Sequence, residues 1–74
     1  MRTGRVMWYE KDKGYGFIKP DDEQRNIFVY SKDLTGDGEK VLQSGELVKF
    51  EVVEAPLGQR ATNVEKLHQQ PGEM

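Results

Sequence analysis

The chain has 74 residues, enough for one domain and too few for two independent cores. It contains no cysteine, which excludes a disulfide framework and a thiolate metal site, so packing alone must stabilise the fold. The formal net charge of -2 speaks against a nucleic-acid partner only as a total: the acids gather at Asp21, Asp22, Glu23, Asp37 and Glu39, while Arg2, Arg5, Lys11, Lys13 and Lys19 offer a local basic rim in the first third.

The opening residues Met1 to Arg5 lead directly into an alternating pattern, without the apolar run of roughly 7–15 residues that a signal peptide needs. Nor does any stretch reach the ~20 apolar residues of a membrane span. A soluble, cytoplasmic protein is expected. The first segment of strand length is Arg5 to Glu10, and a turn at Lys11 to Gly14 leads to the second, Tyr15 to Lys19. A turn at Pro20 to Arg25 precedes the third, Asn26 to Ser31, rich in β-branched and aromatic types. Ser31 to Leu34 forms one helical turn at most, with Ser31 placed to cap it, followed by a turn at Thr35 to Gly38. After Ser44-Gly45 comes a fourth strand, Leu47 to Val53; a turn at Ala55 to Gly58 and a fifth strand, Ala61 to Leu67, complete the set. No window of about 11 residues sustains a helical apolar repeat. The tail, residues 68 to 74, carries the one histidine, His68, and nothing to bury, so it is read as disordered beyond a domain of residues 1 to 67. The fold class expected is all-β, a small five-stranded antiparallel barrel.

Alternation within the strands picks out a surface. In the fourth strand Val48, Phe50 and Val52 share one face and Lys49 and Glu51 the other, so the aliphatic face fills the barrel. In the third, Ile27 and Val29 oppose Phe28 and Tyr30, and in the second, Gly16 and Ile18 oppose Tyr15 and Phe17. A small barrel has one interior. If Ile18, Ile27 and Val29 enter it, the four rings stand outside as a row that Trp8 extends. The glycines at 14 and 16 fit such a surface by leaving its rings uncovered and letting a ligand strand approach the backbone. A contiguous apolar patch of this kind implies a partner, and flat rings accept unpaired bases at roughly 1–3 kcal/mol each. Lys13, next to the rings, is placed to meet a phosphate or a base edge.

The stretch Lys13-Gly14-Tyr15-Gly16-Phe17-Ile18 resembles the first nucleic-acid motif of bacterial cold-shock proteins, and Ile27-Phe28-Val29-Tyr30 resembles the second. Gly4 to Tyr9 is similar to the family's first strand and Ala61-Thr62-Asn63-Val64 to its last, so the likeness runs in order over about residues 3 to 67. The first motif alone also resembles RNA-recognition motifs, in which the sheet carries helices; the order of all the blocks favours the cold-shock family. The resemblance implies a partly open OB-fold barrel, with Trp8, Tyr15, Phe17 and Phe28 stacking bases, Tyr9 at a position usually held by phenylalanine, Lys13 as a contact lysine, and Asn26 beside a base edge. Tyr30 stands for a usual histidine and still offers a ring, and Arg60 would serve the loop that closes over the strand. Met7 for lysine, Glu10 for asparagine, Ser31 for an aromatic and Glu39 for a ring each remove a contact, implying weaker binding than in typical members or a shifted base preference.

The expected partner is single-stranded RNA or DNA, bound by a monomer; a protein docking on the same aromatic face is the alternative. Gly14-Tyr15-Gly16 is half of a dinucleotide-binding fingerprint, but neither a third glycine nor a helix follows. Asp21-Asp22-Glu23 reads as solvated charge in a turn rather than a metal site. With no nucleophile-base pair or paired-acid cleft in the pattern, no catalytic residue, metal or cofactor is expected.

Overall fold

A computed structural model describes residues 2–35 and 40–67 of the chain. Asp37, Glu39, most of the turn placed at Thr35 to Gly38, and the tail with His68 lie outside the described residues. The strands are β1 (Arg2–Glu10), β2 (Tyr15–Pro20), β3 (Ile27–Tyr30), β4 (Leu47–Ala55) and β5 (Gly58–Lys66), with a single 3-10 turn, Ser31–Asp33, after β3. β1 begins at Arg2 rather than Arg5 because its first half pairs with β4, from Arg2 opposite Phe50 to Arg5 opposite Leu47. β5 begins at Gly58 because Ala55 pairs with Gly58 across a hairpin whose turn is Pro56-Leu57.

The strands close into a barrel in the order β1-β2-β3-β5-β4. Four of its seams are antiparallel, but β3 and β5 run parallel, with Phe28 opposite Arg60 and Val29 opposite Ala61, so the expected all-antiparallel barrel is corrected at this seam. A parallel pair needs a long crossover, and the chain between Tyr30 and Gly58 supplies it. The 3-10 turn after β3 ties this crossover to β5: the Thr35 amide donates to the Val64 carbonyl at 2.8 Å, and Leu34 bridges Val64. Ser31 does not cap that turn. It is the first helical residue, Tyr30 holds the cap position, and the Leu34 amide closes the turn on the Ser31 carbonyl.

The interior is aliphatic apart from Phe50: Val6, Ile18, Ile27, Val29, Leu34, Leu42, Val48, Ala61 and Val64 complete the buried cluster. Val52, expected inside, is only half-buried against it, because the β4–β5 register shifts between Lys49 and Glu51 and turns the end of β4 partly outward. Gly16 faces inward, so its missing side chain does not uncover the rings. It lets β1 approach: a Cβ there would lie 2.1 Å from the Trp8 carbonyl oxygen and 2.7 Å from Tyr9 Cα, contacts with backbone that cannot yield without parting the two strands. Gly16→Ala is therefore expected to destabilise the fold by about 3 kcal/mol or more in urea unfolding; a loss below about 1 kcal/mol would show that β1 and β2 do not approach this closely.

Candidate nucleic-acid interface

Tyr15 and Phe17 alternate along β2 with the buried Gly16 and Ile18, and Phe28 and Tyr30 alternate along β3 with the buried Ile27 and Val29. The antiparallel register sets Tyr15 opposite Tyr30 and Phe17 opposite Phe28, so all four rings emerge on the outer face. Ring centroids lie 4.7 Å apart for Phe17 and Phe28, 6.0 Å for Phe28 and Tyr30 at an interplanar angle of 13°, and 6.5 Å for Tyr15 and Tyr30. Trp8 joins them edge-on to Tyr15 at 5.5 Å and tilted to Phe17 at 6.0 Å, with 42% of its surface exposed. The edge-on Trp8–Tyr15 pair and the near-parallel Phe28–Tyr30 pair are geometries that ring quadrupoles favour, and the other three pairs are tilted between these extremes.

Trp8 reaches this face through a β-bulge. Val6 pairs with Ile18 and Trp8 with Phe17, leaving Met7 as the extra residue, so Met7 and Trp8 both point outward. The same bulge turns Tyr9 inward. It pairs with Gly16, packs against the core, and its hydroxyl donates to the Lys40 carbonyl at 3.3 Å. Of the aromatic residues singled out for the site, Tyr9 is the one the structure does not bring to the row.

The basic rim is smaller than the charge pattern implies. Arg2 pairs with Asp22, at 3.1 Å, and with Glu23; hydrogen bonds from Arg2 to Glu23 and then to Asp22 push its guanidinium above the ordinary arginine value. Lys19 donates to the Glu23 carbonyl, Arg5 to the Gly45 carbonyl, and the Thr3 hydroxyl to Asp21. The acidic turn is thus held by its own neighbours, and none of its three carboxylates belongs to a metal-binding cluster among the described residues. Lys11 and Lys13, exposed in the β1–β2 turn, have no ion pair among the described residues and remain available to a phosphate. Asn26 is exposed at the start of β3, where it lines a shallow cleft with Phe17, Arg25 and Phe28. Arg60 stands beside Phe28 but is not a free cation: its Nε lies 3.2 Å from Asp33 Oδ2.

Sequence reasoning missed the far wall of the site. The Pro56-Leu57 turn overhangs Phe28 and Tyr30 and forms with them a cleft of about 300 Å³, and Leu57 there is 80% exposed. Lys32 is the other residue missed, its Nζ 6.0 Å from the Tyr30 ring centroid. The available signals were faint: an aliphatic residue in an otherwise breaker-rich turn, and a lysine two positions beyond an outward ring.

A five-stranded barrel of OB-fold architecture with an aromatic outer face defines a class of protein, and comparison with known proteins agrees. The family model described as "'Cold-shock' DNA-binding domain" matches residues 2–67, and the chain belongs to this family. It is 43% identical over 67 residues to a "Major cold shock protein" of Micrococcus luteus, covering 90% of this chain and 100% of the relative. It is 48% identical over 64 residues to a "Cold shock-like protein" of Aquifex aeolicus, covering 86% of this chain and 91% of the relative. Among solved structures, "drosophila Unr CSD456" superposes with a TM-score of 0.76 over 99% of this chain at 16% identity; the match spans 28% of that longer chain and concerns the fold. Among the described residues no helix is long and apolar enough to cross a membrane.

The placement of Tyr9 has a measurable consequence. Tyr9→Phe keeps the ring against the core and is expected to change unfolding stability by no more than about 1 kcal/mol. Tyr9→Ala should cost about 2 kcal/mol or more. An alanine variant as stable as the parent would mean that the ring does not pack on the core.

Proposed function

We propose that this chain binds single-stranded RNA or DNA by stacking unpaired bases on the row formed by Trp8, Tyr15, Phe17, Phe28 and Tyr30, and that it acts in the cytoplasm as an RNA chaperone without ATP. The observation that carries this reading is the contiguity of five outward rings on a barrel whose core is complete without them. A soluble domain gains nothing in stability from leaving such a patch in water, whereas each ring that accepts a base contributes roughly 1–3 kcal/mol. Lys13 and Asn26 flank the row and supply a phosphate contact and a base-edge contact. Because the rings need free base faces, the protein captures open strands and shifts structured RNA toward its melted form without bond chemistry.

Met7, Glu10 and Ser31 stand at positions where the family more often has a cation, an amide and a ring. Glu10 lies opposite Tyr15 at the end of the row, where its carboxylate repels phosphate. Affinity is accordingly set below that of typical members, and stacking carries more of the binding than charge does.

Trp8 reports on the site directly. Titration of its fluorescence with a short oligothymidine is expected to give saturable quenching, little response to a duplex of matched length, and weakening as salt rises, with a slope of only about one or two phosphates. Equal response to duplex, or no response to any single strand, would overturn the proposal, and the latter would favour a protein partner on the aromatic face.

A further inference from the structure

Arg60 and Asp33 are far apart in sequence and meet because β5 lies parallel to β3 while the 3-10 turn packs back on β5. Asp33 is held rigidly there. The backbone bonds of Leu34 and Thr35 to Val64 fix its position, and its side chain is only 13% exposed. Arg60 Nε is buried 3.2 Å from Asp33 Oδ2, an ion pair in which neither atom has a hydrogen-bond partner among the described residues. The carboxylate therefore faces the inner edge of the guanidinium as its counter-charge, and Arg60 lines a cleft together with Phe28, Tyr30 and Leu57.

The cleft has the shape of a base pocket rather than a phosphate trough. Phe28 and Tyr30 line it with nearly parallel rings, Leu57 adds an aliphatic side chain, and Arg60 and Lys32 are the cations in its lining. Lys32, above the Tyr30 ring, is the cation placed for the backbone phosphate. An edge made only of donors selects a base edge made only of acceptors. Guanine offers two, O6 and N7, at the spacing of a guanidinium fork, whereas adenine sets an amino donor against it.

We propose that Arg60, oriented by Asp33, makes this cleft a guanine-selective subsite of the single-strand surface. The inference rests on the stacking function proposed above and adds a base preference to it. Arg60 is the reading residue and Asp33 a positioning residue that does not touch the base. Fixing the fork before binding removes the entropy of ordering a long side chain, and the half-neutralised charge lowers the pull of Arg60 on any phosphate.

The test is a set of oligothymidines in which one guanine, or one adenine, is moved through each position in turn, titrated against the Trp8 signal. One guanine position is expected to bind about tenfold more tightly than its adenine counterpart. Arg60→Lys keeps the charge and loses the fork, and should bring the guanine-to-adenine affinity ratio at that position to about one. Asp33→Asn frees the guanidinium and should reduce the preference while leaving oligothymidine binding equal or stronger, a split that a purely structural role would not produce. The double variant Asp33→Asn with Arg60→Gln removes both charges together, so its loss of preference with a retained melting transition separates reading from folding. Absence of any guanine preference overturns the subsite, as does a preference that survives Arg60→Lys. A uniform loss of affinity for all sequences in Arg60→Lys, with the ratio between guanine and adenine unchanged, would overturn it too. Failure of every oligomer to bind overturns the stacking function itself and the subsite with it.

Discussion

The inward turn of Ile18, Ile27 and Val29 on two adjacent strands is the constraint on which the rest of this molecule depends. Each is fully buried, and burying such a side chain stabilises the fold by roughly 1.5–3 kcal/mol. A strand has two faces, so committing these residues to the core commits Tyr15, Phe17, Phe28 and Tyr30 to the surface. Slipping either strand by one residue would exchange the sets, replacing compact aliphatic side chains with rings too large for the space around Phe50. The aromatic surface is thus a by-product of core packing, and it persists as long as the fold does.

Two local devices adjust this plan. The bulge at Met7 lets β1 add Trp8 to the row while turning Tyr9 back toward the barrel, where its ring and hydroxyl secure the segment at Lys40. Gly16 removes the side chain that would otherwise hold β1 away, so Trp8 sits close enough to touch Tyr15 and Phe17. Charge is arranged in the same local way. Arg2, Arg5 and Lys19 are engaged with the acidic turn or with backbone carbonyls, so an acidic protein still presents exposed lysines where the rings begin. Attraction for a polyanion is local and screened at ordinary ionic strength, so the proposed binding relies on stacking for its larger share.

The β2–β3 surface was legible in the sequence because alternation with a small core leaves a single solution: Ile18 and Val29 could not share the interior with Phe17 and Phe28. Strand existence was legible for the same reason, and the ordered motifs pointed to the right family. What stayed hidden has no local signature. A bulge is one extra residue in a strand, and strict alternation from Val6 would have placed Trp8 inside and Tyr9 outside, the reverse of what is seen. The parallel β3–β5 seam, and with it the meeting of Asp33 and Arg60, is a property of the closed barrel and of no single segment. Leu57 read as a turn residue, since nothing nearby in sequence reveals that its hairpin folds over Phe28.

The central claim, that the rings lie outside the core and exist to stack bases, is tested most directly by measuring stability and oligothymidine affinity on the same Phe28→Ala protein. The expected result is an unfolding free energy lowered by about 1 kcal/mol, well short of the roughly 3–5 kcal/mol of a buried ring, together with an affinity loss of about 1–3 kcal/mol. A protein that loses its fold by the full margin of a core phenylalanine, or one that binds single strands as tightly as the parent, would contradict it.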